Sequence, residues 1–333
     1  MPSGLKIAVV EPTDLIGGEL IKILEERDFP VKDLVLLGGK RTIGTRLEFR
    51  GEEIPVKQIE DLSFKGVEIV FFISDKAMCA EFAGRAKASG AVAIDLTSRF
   101  ALQESVPLIV PEINAEKIKD HQGIIANPRS ATIQLVLPLV PISRAARIKR
   151  IVVSTYQSVS DSGERALEEL TSQVRDLFSF KEVFCAAYPH QIAFNALPHV
   201  GAFTQDAYTE EEHSIMAETK KIFEDQGLRI CATSVRVPVF YSHGASVNFE
   251  TARKISPREI REILGRSKGV QVEDEPASNT YPTPVHAVGS DECLVGRIRQ
   301  DLSFENGIAL WTVCDNTRKG AALNAVQIAE HLL

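Results

Sequence analysis

Residues 5–27 read LKIAVVEPTDLIGGELIKILEER. Positions 5–10 form a compact apolar run. From 17 to 27 the apolar residues Leu20, Ile21, Ile23 and Leu24 recur at the spacing of one helix face. A strand, a short turn and an amphipathic helix open a parallel βαβ unit. The same grammar continues downstream. Short β-rich runs lie at 34–37, 67–73 and 91–95, with a helical stretch over 77–88 between the last two. Sheets of this kind bind ligands beyond the carboxyl ends of their strands, which places candidate sites in the turns after Val10, Leu37, Ile73 and Asp95.

The first of those turns is unusual. A dinucleotide loop carries glycines near 11 and 14, so that bare backbone N–H groups can approach a pyrophosphate. Here the turn reads Glu11-Pro12-Thr13-Asp14-Leu15-Ile16-Gly17, and Gly17 alone remains. Glu11 and Asp14 bring negative charge towards the anion. Like charges 4 Å apart cost about 4 kcal/mol at an effective dielectric of 20, an upper figure if the side chains turn away. Nucleotide binding at this turn is therefore expected to be weakened or lost.

The chain has 333 residues, a length that suggests two domains. Hydrophobic residues make up 44%, enough for a sizeable core, and 38 basic against 45 acidic residues give a net charge of −7, which disfavours a nucleic-acid binder. The longest apolar stretch, over 131–142, is too short to span a bilayer and contains Gln134, Pro138 and Pro141. The start reads as a first strand rather than a signal peptide. The five cysteines are scattered and form no CxxC pair, which suits reduced, mostly buried thiols and a cytoplasmic setting. No metal-ligand spacing appears among the seven histidines.

Beyond 130 the pattern changes. Strands are expected over 150–157, 230–239, 245–251, 294–300 and 308–314. Helices are expected over 163–176, 210–223, 257–264 and, at the end, 320–332. A second domain inserted into the first, with the last helix returning to the first, accounts for this order. The expected boundaries are 1–129 and 315–333 for the nucleotide-type domain and 130–314 for the inserted one.

Several long blocks, in order and over nearly the whole chain, carry a family likeness: ANPRSATIQ (126–134), STYQSVS (154–160), IAFNALPH (192–199), VRVPVFYSH (235–243), VGRIRQDLS (295–303) and DNTRKGAALNAVQIAE (315–330). The chain resembles aspartate-semialdehyde dehydrogenase. The resemblance implies an α/β, glyceraldehyde-phosphate-dehydrogenase-like architecture: an NADP-binding Rossmann domain plus an inserted α+β substrate and dimerisation domain, assembled as a homodimer or a dimer of dimers. It also implies a small-molecule ligand, NADP as cofactor and no nucleic-acid or membrane partner. The implied reaction is reversible reductive dephosphorylation of aspartyl phosphate to aspartate semialdehyde, in amino-acid biosynthesis.

The family mechanism uses a thiolate at a helix start, assisted by a histidine. In this chain the expected Asn-Pro-Asn-Cys-Ser-Thr reads Asn127-Pro128-Arg129-Ser130-Ala131-Thr132, so Ser130 stands at the cysteine position. An alcohol is a far weaker nucleophile than a thiolate near neutral pH. By resemblance Gln157 orients the acyl intermediate and His243 is the acid/base. Asn127, Arg129, Glu211 and Arg236 are substrate-binding, and Thr13, Gly17, Arg41, Thr42 and Asn316 are cofactor-binding. Each has a plainer alternative: a polar strand end for Gln157, a structural histidine, a polar loop at Arg41 and Thr42, a helix cap at Asn316.

Other positions depart from the family. Ser214 replaces the lysine of its Glu-x-x-Lys motif. Ala101 stands where a phosphate-binding arginine follows the aromatic, and Asp75-Lys76-Ala77 replaces a glycine-rich loop. Asp161 replaces a glycine and adds bulk and negative charge near the acyl position. The pattern is similar to the cysteine-less Usg branch of the family. Three outcomes stay open: a non-catalytic ligand- or partner-binding protein, an NADP-dependent enzyme working by an altered route, and hydrolase-like chemistry on Ser130 with His243 as base.

Overall fold

The computed structural model describes residues 4–333, so the first three positions of the sequence-read domain lie outside the described residues. Two compact units are present. One comprises the chain up to Arg129 together with Ala321–Leu333, and the other is Ser130–Gly320.

The first unit runs β1 (Leu5–Val10), α1 (Leu15–Glu26), β2 (Val31–Gly38), a hairpin of β3 (Arg46–Phe49) and β4 (Glu52–Pro55), β5 (Lys57–Gln58), β6 (Ile69–Phe72), α2 (Lys76–Ala88), β7 (Val92–Asp95), a single turn α3 (Pro111–Asn114), and β8 (Ile124–Ala126). Its main sheet has the order β5-β2-β1-β6-β7-β8, and the pairings are parallel. Side chains alternate across a strand, and both faces of this sheet are covered. Ile7 and Val9 of β1 pack with Leu20 and Leu24 of α1 and with Leu323 and Val326 of the C-terminal helix. Ala8 and Val10 face the other way, in a cluster with Phe64, Phe72, Phe82 and Cys79. Burial on both faces explains why β6 reads as an unbroken apolar run, with all four residues buried. The strand order reverses at β1, which has β2 on one side and β6 on the other. The carboxyl ends at such a reversal frame the binding crevice of open α/β sheets.

The second unit runs α4 (Ser130–Ala146), β9 (Ile148–Gln157), α5 (Glu164–Phe178), α6 (Glu210–Phe223), β10 (Arg229–Arg236), β11 (His243–Thr251), α7 (Pro257–Leu264), β12 (Val270–Val272), a single turn α8 (Pro284–Ala287), β13 (Cys293–Gln300) and β14 (Gly307–Cys314). Its sheet, in the order β10-β9-β11-β14-β13-β12, is mixed: β10 pairs parallel with β9 and β12 with β13, and the inner pairs are antiparallel. The α/β class expected from the sequence is what the structure shows.

Helix α4 is the main element that periodicity did not announce. Most of its residues are buried, so it has no polar face to set a helical rhythm. It also contains Pro138 and Pro141. A proline has no N–H for the carbonyl one turn earlier. The Gln134 carbonyl, which faces that gap at Pro138, accepts the Cys293 thiol at 3.5 Å instead. The return crossing also differs from the sequence reading. Asp315 and Asn316, expected in the first domain, cluster with the second unit, and the C-terminal helix spans only Leu323–Glu330 after a wide turn over Arg318–Ala322. Among the described residues no helix is long and apolar enough to cross a membrane.

Candidate functional site

Four strand ends meet at one end of the second sheet. Strands β9 and β10 run parallel and finish in register, Gln157 beside Arg236. Strand β11 runs the opposite way and so begins there, with His243 as its first residue. His243 pairs with Cys314, the last residue of β14, and Asn316 follows. Glu211 sits in the first turn of α6. That helix start is held by Thr209 and Glu212, which cap each other's backbone N–H, while Glu212 also accepts Ser234 N–H of β10 at 2.8 Å. The Gln157 amide then donates to Glu211 Oε1 at 3.2 Å. Topology thus brings together Gln157, Glu211, Arg236, His243 and Asn316, which lie far apart in sequence.

Their surroundings are polar and buried. His243 is 1% exposed. Its Nδ1 accepts the Ser158 backbone N–H at 3.1 Å and lies 3.1 Å from the Ser158 hydroxyl. That places the ring proton of the neutral form on Nε2, which has no hydrogen-bond partner. Asn316 Oδ1 accepts from the Ser158 and Ser160 hydroxyls and from Ser242 N–H, between 2.9 and 3.2 Å. Its amide is therefore committed to this network. Gln134 of α4 donates to the His243 and Thr312 carbonyls and to the Thr312 hydroxyl, locking the helix against the sheet.

Arg236 is also buried. One guanidinium nitrogen donates to the Ser158 carbonyl at 2.5 Å and another to Asp161 Oδ2 at 2.8 Å. Asp161 Oδ1 lies 3.8 Å from His243 Nε2. Burial by neighbouring atoms pushes the Asp161 carboxyl up, but Arg236 and His243 outweigh this and hold it well below the usual carboxylate range. Asp161 itself faces solvent, its side chain about a third exposed, above a guanidinium that is 5% exposed.

Ser130 is the first residue of α4, half-buried. Gly320 closes on it: a Cβ at 320 would come within 3.0 Å of Ser130 Cβ and 3.1 Å of the Asp315 carbonyl. Neither ring nitrogen of His243 is hydrogen-bonded to Ser130, so the structure shows no activated serine–histidine pair. Ser214, at the lysine position, returns its hydroxyl to the Glu210 carbonyl of its own helix. Sequence reasoning found no cysteine near 130. In the fold Cys314 stands directly across the sheet from His243, but its hydrogen bond with Cys293 and its burial push its pKa well above the ordinary thiol value.

In the first unit the sequence-predicted residues gather at the carboxyl ends of β1, β2 and β6. A cleft of about 740 Å³ is lined there by Glu11, by Gly39 with Arg41 and Thr42, and by Asp75. Glu11 keeps the left-handed backbone of a glycine, with φ of 59°. Its Oε1 accepts Gly39 N–H at 2.7 Å. Asp14 caps α1, accepting Ile16 N–H at 3.0 Å, and Asp75 caps α2, accepting Ala77 and Met78 N–H. Gly17 is required by close packing, since a Cβ there would meet the Pro12 carbonyl at 2.5 Å. Thr13 lies in the same turn, and Thr42 donates to the Gly39 carbonyl. Asn127 serves the fold, accepting from Asn324 of the C-terminal helix at 2.8 Å. Arg129 ends the unit, half-buried, and Ala101 is buried. The exposed Lys40 and Arg41 suit an adenosine-linked phosphate. The turn after β1 does not suit a pyrophosphate, because internal carboxylates already take N–H groups around it. Among the described residues no group of three or more His, Cys, Asp or Glu side chains could hold a metal ion.

Two family models match this chain. Residues 6–121 match the one described as semialdehyde dehydrogenase, NAD binding domain, and residues 139–319 the one described as semialdehyde dehydrogenase, dimerisation domain. Whole-chain likenesses narrow the class. The chain is 48% identical to an aspartate-semialdehyde dehydrogenase of Aquifex aeolicus, over 99% of this chain and 98% of that one. It is 43% identical to one from Legionella pneumophila, over 100% and 96%. The crystal structure of aspartate semialdehyde dehydrogenase II from Vibrio cholerae has the same fold, with a TM-score of 0.96, 39% identity and coverage of 99% and 98%. The chain belongs to the aspartate-semialdehyde dehydrogenase family.

Proposed function

We propose that this chain is an aspartate-semialdehyde dehydrogenase homologue impaired in the family reaction, the NADP-dependent reductive dephosphorylation of aspartyl phosphate. The observation that carries the reading is Ser130, an unactivated hydroxyl at the start of α4 where the family mechanism needs a thiolate. Loss of cations for phosphate, at Ser214 and Ala101, points the same way, as do Glu11 and Asp14 at the cofactor turn. In this reading Gln157, Glu211, Arg236 and His243 remain as a small-molecule site, and the chain pairs as a homodimer through its inserted domain. NADP is held weakly through Arg41 and Thr42, without the pyrophosphate contacts of the α1 turn, and Asn316 supports the buried network. One observation favours a second reading, an active semialdehyde dehydrogenase with an altered mechanism. The polar cluster is still assembled, with His243 Nε2 available.

Phosphate-dependent reduction of NADP with L-aspartate semialdehyde separates the two. The expected rate is below about 0.01 per second, against the roughly 10 per second typical of enzymes. Ser130→Cys should recover little, because the missing cations still leave phosphate poorly held. Turnover at ordinary enzyme rates by the unmodified chain would overturn the impaired reading.

A further inference from the structure

The guanidinium of Arg236 is buried at the end of β10, with one nitrogen paired to the partly exposed carboxylate of Asp161. An arginine fork in such a place suits a planar carboxylate. The carboxylate that meets it belongs to the chain itself. Asp161, from the turn between β9 and α5, places Oδ2 at 2.8 Å from the guanidinium and Oδ1 at 3.8 Å from His243 Nε2. The second distance is too long for a hydrogen bond. His243 Nε2 is therefore a buried donor left without a partner, beside a carboxylate that does not quite reach it. Buried polar atoms are satisfied in most proteins, and an orphan such as His243 Nε2 calls for a partner, which a bound ligand can supply. Asp161 has the exposure to move, and Arg236 and His243 do not.

We propose that Asp161 is an internal ligand that fills the carboxylate subsite of Arg236, so that a carboxylate-bearing small molecule must displace it to reach Arg236 and His243 Nε2. This rests on the reading of the cluster as a small-molecule site. Asp161 is then a specificity-determining residue: its charge lowers affinity for free carboxylates while leaving neutral ligands unaffected.

The test is calorimetric titration of the full chain with succinate and L-aspartate, and with succinamide as the uncharged control. Asp161→Asn removes the charge at nearly constant shape, and Asp161→Glu keeps it. The Asp161→Asn variant should bind both acids at least about tenfold more tightly than the unmodified chain, as expected when a charged competitor is removed from an arginine. Succinamide should not change, and Asp161→Glu should behave like the parent. The gain should vanish in Asp161→Asn combined with Arg236→Gln. Equal acid binding by the parent and Asp161→Asn would overturn the proposal, and so would an equal gain in both Asp161 variants, which would signify lost side-chain geometry rather than lost charge. Should the double variant fail to fold, the comparison of the Asp161→Asn and Asp161→Glu variants still decides. The outcome is independent of the turnover assay. Enzymatic turnover by the parent would remove the impaired reading and leave the Asp161 comparison standing, whereas equal binding would remove the internal ligand and leave the serine argument intact.

Discussion

The crevice of the first unit and the polar cluster of the second each hold carboxylates against hydrogen-bond donors, but by different means. In the first unit Glu11, Asp14 and Asp75 meet bare backbone N–H groups at chain turns and helix starts. In the second, Asp161 meets a buried guanidinium. A backbone N–H is present whatever the sequence, so one acidic side chain in the turn is enough to cap a helix start with little else disturbed. A guanidinium must be built and buried by many residues. Its occupant is held by charge, and losing either member exposes the other.

The largest expected effect follows from that contrast. Arg236→Ala should lower stability by about 3 kcal/mol, because it empties a buried volume and leaves the Ser158 carbonyl and Asp161 without their donor. Urea unfolding would measure it, and a loss under about 1 kcal/mol would mean that the pair is no more than a surface contact. Next, Glu11→Gly with Asp14→Gly should raise NADPH affinity by at least about tenfold, about 1.4 kcal/mol, read by fluorescence titration. Glu11→Gly also relieves a left-handed side-chain conformation. No gain in the double variant would show that those carboxylates already lie out of the nucleotide's way.

The smallest effect is in acid. Asp161 has a depressed pKa, so its pairing contributes full stability above the ordinary aspartate value of about 3.9 and loses it as pH falls from there towards the folded value. The stability difference between the parent and Asp161→Asn should be constant from about pH 8 to 5 and shrink below about pH 4. A difference that already changes above about pH 5 would show that a group other than the Asp161 carboxylate carries it.

Much of the fold was legible because its signals are local. The apolar run of β1 and the face of α1 mark the first βαβ unit, and α6 and α7 fall on their expected spans, each opening with a capping box. The β3–β4 hairpin was not legible, being short, polar and half-exposed. Helix α4 was hidden by burial: with nearly every side chain inside, no face stood out to set a helical rhythm. Of the residues that the fold brings into one polar cluster, Gln157, Glu211, Arg236, His243 and Asn316 could be named from likeness. The roles of Ser158, Ser160 and Ser242 around Asn316 and His243 had no signal, because serines in loops carry none.

Residue types and their order determined the α/β class, the oxygen at position 130, and the acidic side chains at 11, 14 and 161. Those are properties of single positions and their chain neighbours. That Arg236 lies under Asp161, that Cys314 faces His243 across the sheet, and that Asn316 belongs to the inserted unit were decided only by strand register and direction. Pairing sets which distant residues share an end of a sheet, and burial then sets which of their charges must find one another.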